Sequence, residues 1–135
     1  MTSRPDLAAL LALMPFAAIG GIELTGATES EVTGRVAWSR ERCTSGGVLH
    51  GGVLMTLADS LGGVCAFLNL PEGASTSTIE SKTNFFRAVR EGHVEDVARP
   101  LHVGSTVIVV QTDLRDATGR PVAMTTQTQA VRSRA

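Results

Sequence analysis

The segment from Cys43 to Leu70 constrains the fold of this chain more than any other. It reads CTSGGVLHGGVLMTLADSLGGVCAFLNL and contains no Lys, Arg or Glu; its acidic and imidazole groups are Asp59 and His50. A glycine-rich turn at Ser45-Gly46-Gly47 leads into a long apolar helix that begins near His50-Gly51-Gly52. The single acid lies two turns inside that helix. It is either an exposed residue on an ordinary helix or the working group of a buried site.

The two faces of this helix favour the working group. One face carries apolar side chains at helical spacing, namely Val53, Leu54, Leu57, Leu61, Val64 and Leu68. Asp59 projects from the opposite face, where we expect small or apolar neighbours: Gly52, Met55, Gly62, Gly63 and Ala66. Each glycine inside a helix costs about 1 kcal/mol relative to alanine. The pattern therefore predicts that a substrate or a second subunit approaches closely beside the acid.

The start of the helix supplies a complementary hydrogen-bond donor. The first backbone N–H groups of a helix have no intrahelical acceptor and lie at the positive end of its dipole. Glycine at positions 51 and 52 allows a ligand oxygen to approach these groups closely. Such a donor can stabilise a developing oxyanion. The sequence thus combines an oxyanion donor at Gly51 with a carboxylate at Asp59.

The spacing of these two groups predicts a homodimer. Gly51 and Asp59 are eight residues apart, which corresponds to roughly 12 Å along a helix. One small reacting group cannot touch both on the same helix. Two antiparallel helices across a two-fold axis could bring Gly51 of one chain close to Asp59 of the other, as in an isologous interface.

Composition excludes several classes of function. The chain has 135 residues, a net charge of −1 and a pI near 6.3, so we expect one domain with a real core and no nucleic-acid partner. No uncharged apolar stretch reaches eighteen residues, and no transmembrane helix is expected. Cys43 and Cys65 are too few for a disulfide framework or a zinc site. They are expected to be reduced thiols in a cytoplasmic protein.

The order of predicted elements indicates an α+β fold. A short helix is expected from about Pro5 to Leu13; the alternative, a signal peptide after Arg4, is disfavoured by Asp6 and the early Pro15. The chain then turns through Met14-Pro15-Phe16. Strands are predicted at 22–27 and 31–38, before the central helix, and at 75–88, 93–103, 105–116 and 122–131, after it. The last four strands are expected to form a meander, with the apolar helix across the antiparallel sheet.

Several motifs resemble the hotdog-fold acyl-CoA thioesterases. The core of the resemblance is Gly47-Val48-Leu49-His50-Gly51-Gly52-Val53, followed by Leu57-Ala58-Asp59. Three further segments match: Met14-Pro15-Phe16 before Gly20, TIESKTNFFR from Thr78 to Arg87, and the hairpin from Arg115 to Ala123. Within that family the chain looks most like the phenylacetate-pathway (PaaI-like) and Arthrobacter-type 4-hydroxybenzoyl-CoA thioesterases.

The resemblance implies a fold, an assembly and a set of site residues. It implies a sheet that wraps the central helix, a homodimer that often pairs into a homotetramer, and thioester hydrolysis with coenzyme A only as part of the substrate and with no metal or prosthetic group. By this resemblance Asp59 is the catalytic carboxylate, the Gly51 N–H polarises the thioester carbonyl, His50 shapes the turn, and Thr78 holds the attacking water. Thr44 lies where many relatives carry Asn or Gln near the thioester, and its shorter reach could alter rate or substrate choice.

The predicted substrate-binding residues are less specific. By resemblance, Arg87, Ser105 and Thr106 contact the nucleotide of coenzyme A. A strand-end surface charge explains Arg87 equally well, and an ordinary strand start explains Ser105 and Thr106 slightly better. Gly52 and Gly63 are also predicted to contact the substrate or coenzyme A. Small residues beside Asp59 would suit an aryl or medium-length acyl group.

The sequence leaves the mechanism and two other functions open. Asp59 could attack the thioester as a nucleophile or act as general base toward water. A non-catalytic acyl-CoA binder on the same fold is one alternative. A hotdog hydratase or dehydratase is the other, but those enzymes pair their acid with a histidine about five residues away on the central helix, and no His follows Asp59 there.

Overall fold

A computed structural model describes residues 6–133 of the chain. Three α-helices and six strands follow in the order α1 (Leu7–Ala12), α2 (Pro15–Ile19), β1 (Ile22–Ala27), β2 (Val32–Ala37), α3 (Gly51–Leu68), β3 (Ser75–Phe85), β4 (His93–Val103), β5 (Val107–Asp116) and β6 (Pro121–Arg132), with short 3-10 helices at Arg40–Arg42 and Ser45–Gly47. The strands form one antiparallel sheet in the spatial order β1-β2-β4-β5-β6-β3, and α3 contacts all six of them. The predicted α+β hotdog architecture is confirmed.

The central helix α3 begins and ends where the sequence predicted. His50 caps its first turn, because its Nδ1 accepts a hydrogen bond from the Gly52 N–H at 2.8 Å. Asn69 ends it, and the Asn69 side chain donates to the Cys65 carbonyl and, at 2.8 Å, to the Glu29 carbonyl in the β1–β2 loop. With a mean hydropathy of 1.5, α3 is long and apolar enough to cross a membrane by length and composition alone. Here the sheet covers one side of it.

Alternating burial along the strands builds the face on which α3 packs. Every second residue is buried from Ile108 to Leu114 in β5 and from Ala123 to Gln129 in β6. Gly34 on β2 allows α3 to approach the sheet closely, because a Cβ there would lie 2.8 Å from the Leu61 Cδ2 atom. The core therefore lies between one face of α3 and the concave face of the sheet.

Strand order departs from the predicted meander in one place. Strands β4, β5 and β6 do form a meander, but β3 pairs with β6 at the far edge of the sheet, and β4 pairs with β2. The helix α3 carries the chain across the concave face, so the strand after it joins the opposite edge. Strand ends differ by one to three residues: β3 ends at Phe85, not Ala88, and β5 begins at Val107, not Ser105.

The N-terminal segment contains one more helix than predicted. Asp6 caps α1 through hydrogen bonds from the N–H groups of Ala8 and Ala9. The predicted first helical residue, Pro5, lies outside the described residues, as do the residues of the alternative signal peptide before Asp6 and the end of the C-terminal tail. The predicted turn at Met14-Pro15-Phe16 is instead the start of α2, because Pro15 at its first position fits a helix N-terminus.

A β-bulge interrupts the edge strand β3. Thr78 pairs with Gln129 and Glu80 with Thr128, so Ile79 is an extra residue without a partner on β6. From this point on, the side chains that face α3 are at odd-numbered and not at even-numbered positions of β3. Thr78 before the bulge and Ser81 after it therefore both face the pocket beside α3, which strict alternation would forbid.

Candidate active site

Asp59 lies in a pocket between α3, α2 and β3. The cavity has a volume of about 570 Å³. Met14, Phe16 and Met55 form its apolar side. The opposite side is rich in hydroxyl and amide groups, contributed by Ser60, Thr76, Ser77, Thr78, Ser81 and Gln129. An exposed carboxylate thus opens into a concave space with one apolar and one polar side, the usual character of a small-molecule site.

Two side chains from the sheet hold the Asp59 carboxylate. The Thr78 hydroxyl donates to Asp59 Oδ1 at 2.8 Å, and the Gln127 Nε2 group donates to the same oxygen at 3.1 Å. Among residues 6–133, nothing donates to Oδ2. One oxygen of the carboxylate is therefore fixed to the protein, and the other is free to meet a substrate or water.

The sequence did not reveal the amides behind this contact. Gln129 Nε2 donates to the Thr78 hydroxyl at 2.7 Å, and the Thr76 hydroxyl donates to Gln129 Oε1 at 3.1 Å. Gln127 and Gln129 are each 1% exposed. The run TTQTQA in β6 places polar side chains at alternate positions that face the core. Because buried glutamine is rare, that alternation was the available signal.

The N-terminus of α3 provides a free backbone donor. His50 uses the Gly52 N–H, whereas the Gly51 N–H has no acceptor within the described part of the chain. Two side chains fix the preceding turn: Trp38 Nε1 donates to the Gly47 carbonyl at 3.0 Å and Arg90 to the Gly46 carbonyl at 3.1 Å. The predicted donor at Gly51 is present and unoccupied, while the N–H of Gly52 is already used by the His50 ring.

Gly51 and Asp59 open into different cavities. A second cavity of about 420 Å³ is lined by Gly51 and Thr44 together with Phe85 and Arg87. The Phe85 ring lies against Gly51, since a Cβ there would be 3.2 Å from the Phe85 Cζ atom. The structure therefore brings Thr44 and Gly51 to one cavity and separates them from Asp59 within one chain.

The three predicted nucleotide-binding residues lie at opposite ends of the sheet. Arg87 follows β3, where its N–H bonds to the Val122 carbonyl at the start of β6. Ser105 and Thr106 form the β4–β5 turn, where the Thr106 carbonyl accepts from Val131 near the end of β6. All three are exposed. One chain does not bring them together.

The small residues of α3 do not all face the pocket. Gly63 lines it, with open space where a Cβ would project. Ala66 is fully buried, and Gly62 is buried against the sheet, where a Cβ would overlap the amide of Gln127. The expectation that Gly62 and Ala66 leave space beside Asp59 was wrong, because both belong to the face that packs on the sheet.

Other titratable groups stay apart from the pocket. Burial raises the pKa of the Cys65 thiol to about 11, so this core thiol stays protonated at neutral pH. Burial, with a smaller contribution from the charge of Asp113, raises the pKa of Asp96 on β4 well above its ordinary value. Within residues 6–133, no group of three or more His, Cys, Asp or Glu side chains could hold a metal ion.

Comparison with known proteins identifies the family that this chain resembles. The model of the thioesterase superfamily matches residues 46–123. The 1,4-dihydroxy-2-naphthoyl-CoA hydrolase of Escherichia coli is 36% identical over 85 residues, which cover 63% of this chain and 62% of that enzyme. The curated relatives are matched over only part of their length, 57%, 62% and 60% for three of them.

Solved structures match over nearly the whole chain. A thioesterase from Haemophilus influenzae superposes with a TM-score of 0.90 at 27% identity, covering 97% of this chain and 93% of its own. A thioesterase from Pseudomonas aeruginosa, solved as a glutamine-to-alanine mutant, gives a TM-score of 0.90 at 28% identity and 96% coverage of both chains.

Proposed function

This chain belongs to the thioesterase superfamily, and we propose that it hydrolyses an acyl-CoA thioester to a free acid and coenzyme A. The observation that carries the proposal is the pocket acid: Asp59 is exposed to the cavity, held through Oδ1 and free at Oδ2. The unoccupied Gly51 N–H at the start of α3 supplies the complementary oxyanion donor.

Each group has a defined task in the proposed reaction. The thioester carbonyl accepts a hydrogen bond from the Gly51 N–H, which gains strength as negative charge develops on that oxygen. In one route, Asp59 Oδ2 removes a proton from water as the water oxygen attacks the carbonyl carbon. In the other, Oδ2 attacks that carbon itself and expels the CoA thiolate, and water then opens the mixed anhydride. The proton from water finally balances the charge on the departing thiolate. Because the thiolate is a good leaving group, strong acid catalysis is unnecessary.

We propose that the working unit is a homodimer in which the two chains share each site. Gly51 and Asp59 line separate cavities in one chain, and a second copy could supply the missing partner. The edge strand β3 is the favoured contact, because Thr76, Ser77, Thr78 and Ser81 on this strand line the Asp59 pocket and its outer edge pairs with no described strand. Pairing of two dimers into a tetramer is part of the same proposal.

The substrate we propose is an aryl- or medium-chain acyl-CoA. The pocket volume of about 570 Å³ and the side formed by Met14, Phe16 and Met55 suit a compact apolar group. A relative that acts on a dihydroxynaphthoyl thioester supports an aromatic acyl group. The proposal further includes contact of Arg87, Ser105 and Thr106 with coenzyme A and hydrolysis without a metal or prosthetic group. It also places the chain in the PaaI-like or Arthrobacter-type branch and in the cytoplasm.

Free thiol release tests the activity. The chain is assayed with a panel of aryl- and alkyl-CoA thioesters, and Asp59→Asn is run in parallel. We expect release from aryl or medium-chain thioesters and its loss in the variant. Absence of thiol release from every thioester, despite measurable binding, would instead support an acyl-CoA binder or a hydratase.

Complementation tests the shared site. Gly51→Pro removes the donor yet keeps a residue that suits the first helical position, and Asp59→Asn removes the acid. In a mixed dimer, one of the two sites would contain both an intact Gly51 and an intact Asp59. Mixing the two inactive variants should therefore restore activity. A mixture as inactive as its components, although mixed dimers form, would contradict sites shared in this way.

A further inference from the structure

We propose that Gln127 is a positioning residue that fixes one oxygen of Asp59 and thereby selects the other as the reacting oxygen. Gln129 assists by setting the direction of the Thr78 hydroxyl. The inference rests on the proposed thioester hydrolysis and extends it to two buried residues on β6 that act through their hydrogen bonds to Asp59 and Thr78.

The hydrogen bonds behind Asp59 run in one direction. A threonine hydroxyl has a single proton to donate. Gln129 Nε2 donates to the Thr78 oxygen at 2.7 Å, so the Thr78 proton is free for Asp59 Oδ1, at 2.8 Å. The opposite amide orientation of Gln129 would require that one proton to serve both Gln129 and Asp59. The contact with Thr76 is compatible with this orientation, because the Thr76 hydroxyl donates to Gln129 Oε1.

Gln127 is the second donor to Asp59 Oδ1, and its buried amide reduces the stability of the fold. Its Nε2 group donates to Asp59 Oδ1 at 3.1 Å, but its Oε1 atom is buried and has no partner within the described chain. Leaving a buried amide oxygen unpaired destabilises a fold. The side chain also requires a glycine at position 62, inside α3, since a Cβ there would overlap the amide. Two unfavourable features thus accompany one hydrogen bond to the pocket acid.

Both donors act on the same oxygen of the carboxylate. With Oδ1 held from two directions, the plane of the carboxylate is fixed and Oδ2 points a lone pair into the cavity. Either route of attack, through water or direct, needs that lone pair aligned with the acyl carbon. The geometry of Gln127 therefore bears on the rate of the chemical step and not on the binding of the thioester.

The test replaces Gln127 with a side chain of similar shape that cannot donate. In Gln127→Met we expect kcat to fall about tenfold to hundredfold, the range for losing one hydrogen bond to a charged group, with KM nearly unchanged. Because the unpaired Oε1 atom is removed as well, the melting temperature should stay the same or rise. A residue that only supported the fold would lose stability and activity together.

Thr112→Val provides the matched control. Thr112 is fully buried on the adjacent strand β5, and its hydroxyl likewise has no partner among the described residues. The substitution should leave kcat and KM unchanged while the melting temperature stays the same or rises. Gln129→Met is the second test variant. It should lower kcat in the wild-type background and have little further effect on Thr78→Val, because it acts through that hydroxyl.

The outcomes separate this inference from the proposed activity. Wild-type kcat in Gln127→Met, a change confined to KM, or a loss of kcat matched by a loss of folded protein would each overturn the positioning role. A wild-type protein that released no thiol would defeat the proposed activity instead. The carboxyl ¹³C resonance of Asp59 then still tests the contact: it should move in Gln127→Met and stay in Thr112→Val, and an unmoved resonance in both would overturn the inference.

Discussion

Two clusters of polar side chains face the central helix from the same sheet, and they differ in their hydrogen-bond partners and in their access to a cavity. On β3 and β6, Thr78, Gln127 and Gln129 form a directed set of hydrogen bonds that ends at a pocket acid. On β4 and β5, both carboxyl oxygens of Asp96 and the hydroxyl of Thr112 are buried, and they have no partners among residues 6–133.

Asp59, the acid proposed to be catalytic, differs from Asp96 in its access to a cavity. Burial raises the pKa of Asp96 strongly, and a search for perturbed acids alone would select it. Asp96 is 1% exposed, so no substrate can reach it. Asp59 is open to a cavity, and its hydrogen bonds leave one oxygen free. A carboxylate must meet its substrate before its proton affinity can matter.

The largest expected effect comes from making the same substitution at both acids. Asp59→Asn should lower kcat about 100-fold to 10,000-fold, the contribution typical of a general base, without lowering the melting temperature. Asp96→Asn should leave kcat unchanged. Turnover of thioester and thermal unfolding, measured on both variants, check this pair. Near-normal turnover in Asp59→Asn, or its loss in a folded Asp96→Asn, would reverse the assignment.

The second prediction is that the raised pKa of Asp96 makes the free energy of unfolding depend on pH. The unfolded chain ionises this group near its ordinary pKa of 3.8, and the folded chain only at higher pH. Between these values the folded state holds the extra proton, so stability falls as pH rises, by about 1.4 kcal/mol per pH unit. Asp96→Asn lacks this slope. Its advantage over wild type should therefore grow with pH and vanish toward pH values near 3.8.

Chemical denaturation at a series of pH values from acid to neutral checks the prediction. The hairpin acid Asp116 does not interfere, because hydrogen bonds from Thr118 and Arg120 lower its pKa. Its stabilising contribution is present above its ordinary pKa and is lost only as pH falls further. Parallel curves for wild type and Asp96→Asn would show that Asp96 is paired and ionised in solution.

A smaller loss of activity is expected at the hydroxyl that connects the two strands. Thr78→Val removes one of the two donors to Asp59 Oδ1 and leaves Gln129 Nε2 without its acceptor. We expect kcat to fall about tenfold, as for one charge-assisted hydrogen bond. Thr78→Ser, which keeps the hydroxyl, should recover most of the rate. A serine variant as slow as valine would point to the methyl group and not to the hydrogen bond.

The sequence was most informative where structure is decided locally. The glycine turn at 45–47, the start of α3 near His50 and the length of α3 follow from neighbouring residues, and all were predicted. Asp59 and Gly51 were found because a lone acid and a helix N-terminus are visible within one segment. The family resemblance brought in Thr78, which the structure places on Asp59.

The missed features depend on residues distant in sequence. Gln127 lies 68 residues after the acid it contacts, and no local pattern fixes which strand faces which side chain. The position of β3 at the far edge and the bulge at Ile79 are likewise set by pairing with β6. The same non-local packing turned Gly62 toward the sheet, although Gly62 was predicted to lie on the Asp59 face with Gly63.

The smallest expected effects come from Gly62 and Gly63, which test whether Gln127 contacts Asp59. A methyl group added at Gly63 has free space, whereas one added at Gly62 overlaps a side chain. At Gly63 a Cβ would project into open space beside the pocket. Gly63→Ala should therefore stabilise the helix by about 0.5–1 kcal/mol and leave the hydrogen bonds of Asp59 intact. Crowding of the cavity should raise KM for the bulkiest thioesters most.

At Gly62 the same methyl group would overlap the amide of Gln127. Gly62→Ala should displace that amide from Asp59, lower kcat and offset the gain in helix propensity. Adding Gln127→Ala makes room for the new methyl group, so the double variant should regain stability but not kcat. Denaturation and steady-state kinetics on wild type, Gly62→Ala, Gly63→Ala and the double variant Gly62→Ala/Gln127→Ala check this. If Gly62→Ala matched Gly63→Ala in both stability and kcat, the side chain of Gln127 would not lie where its contact with Asp59 requires.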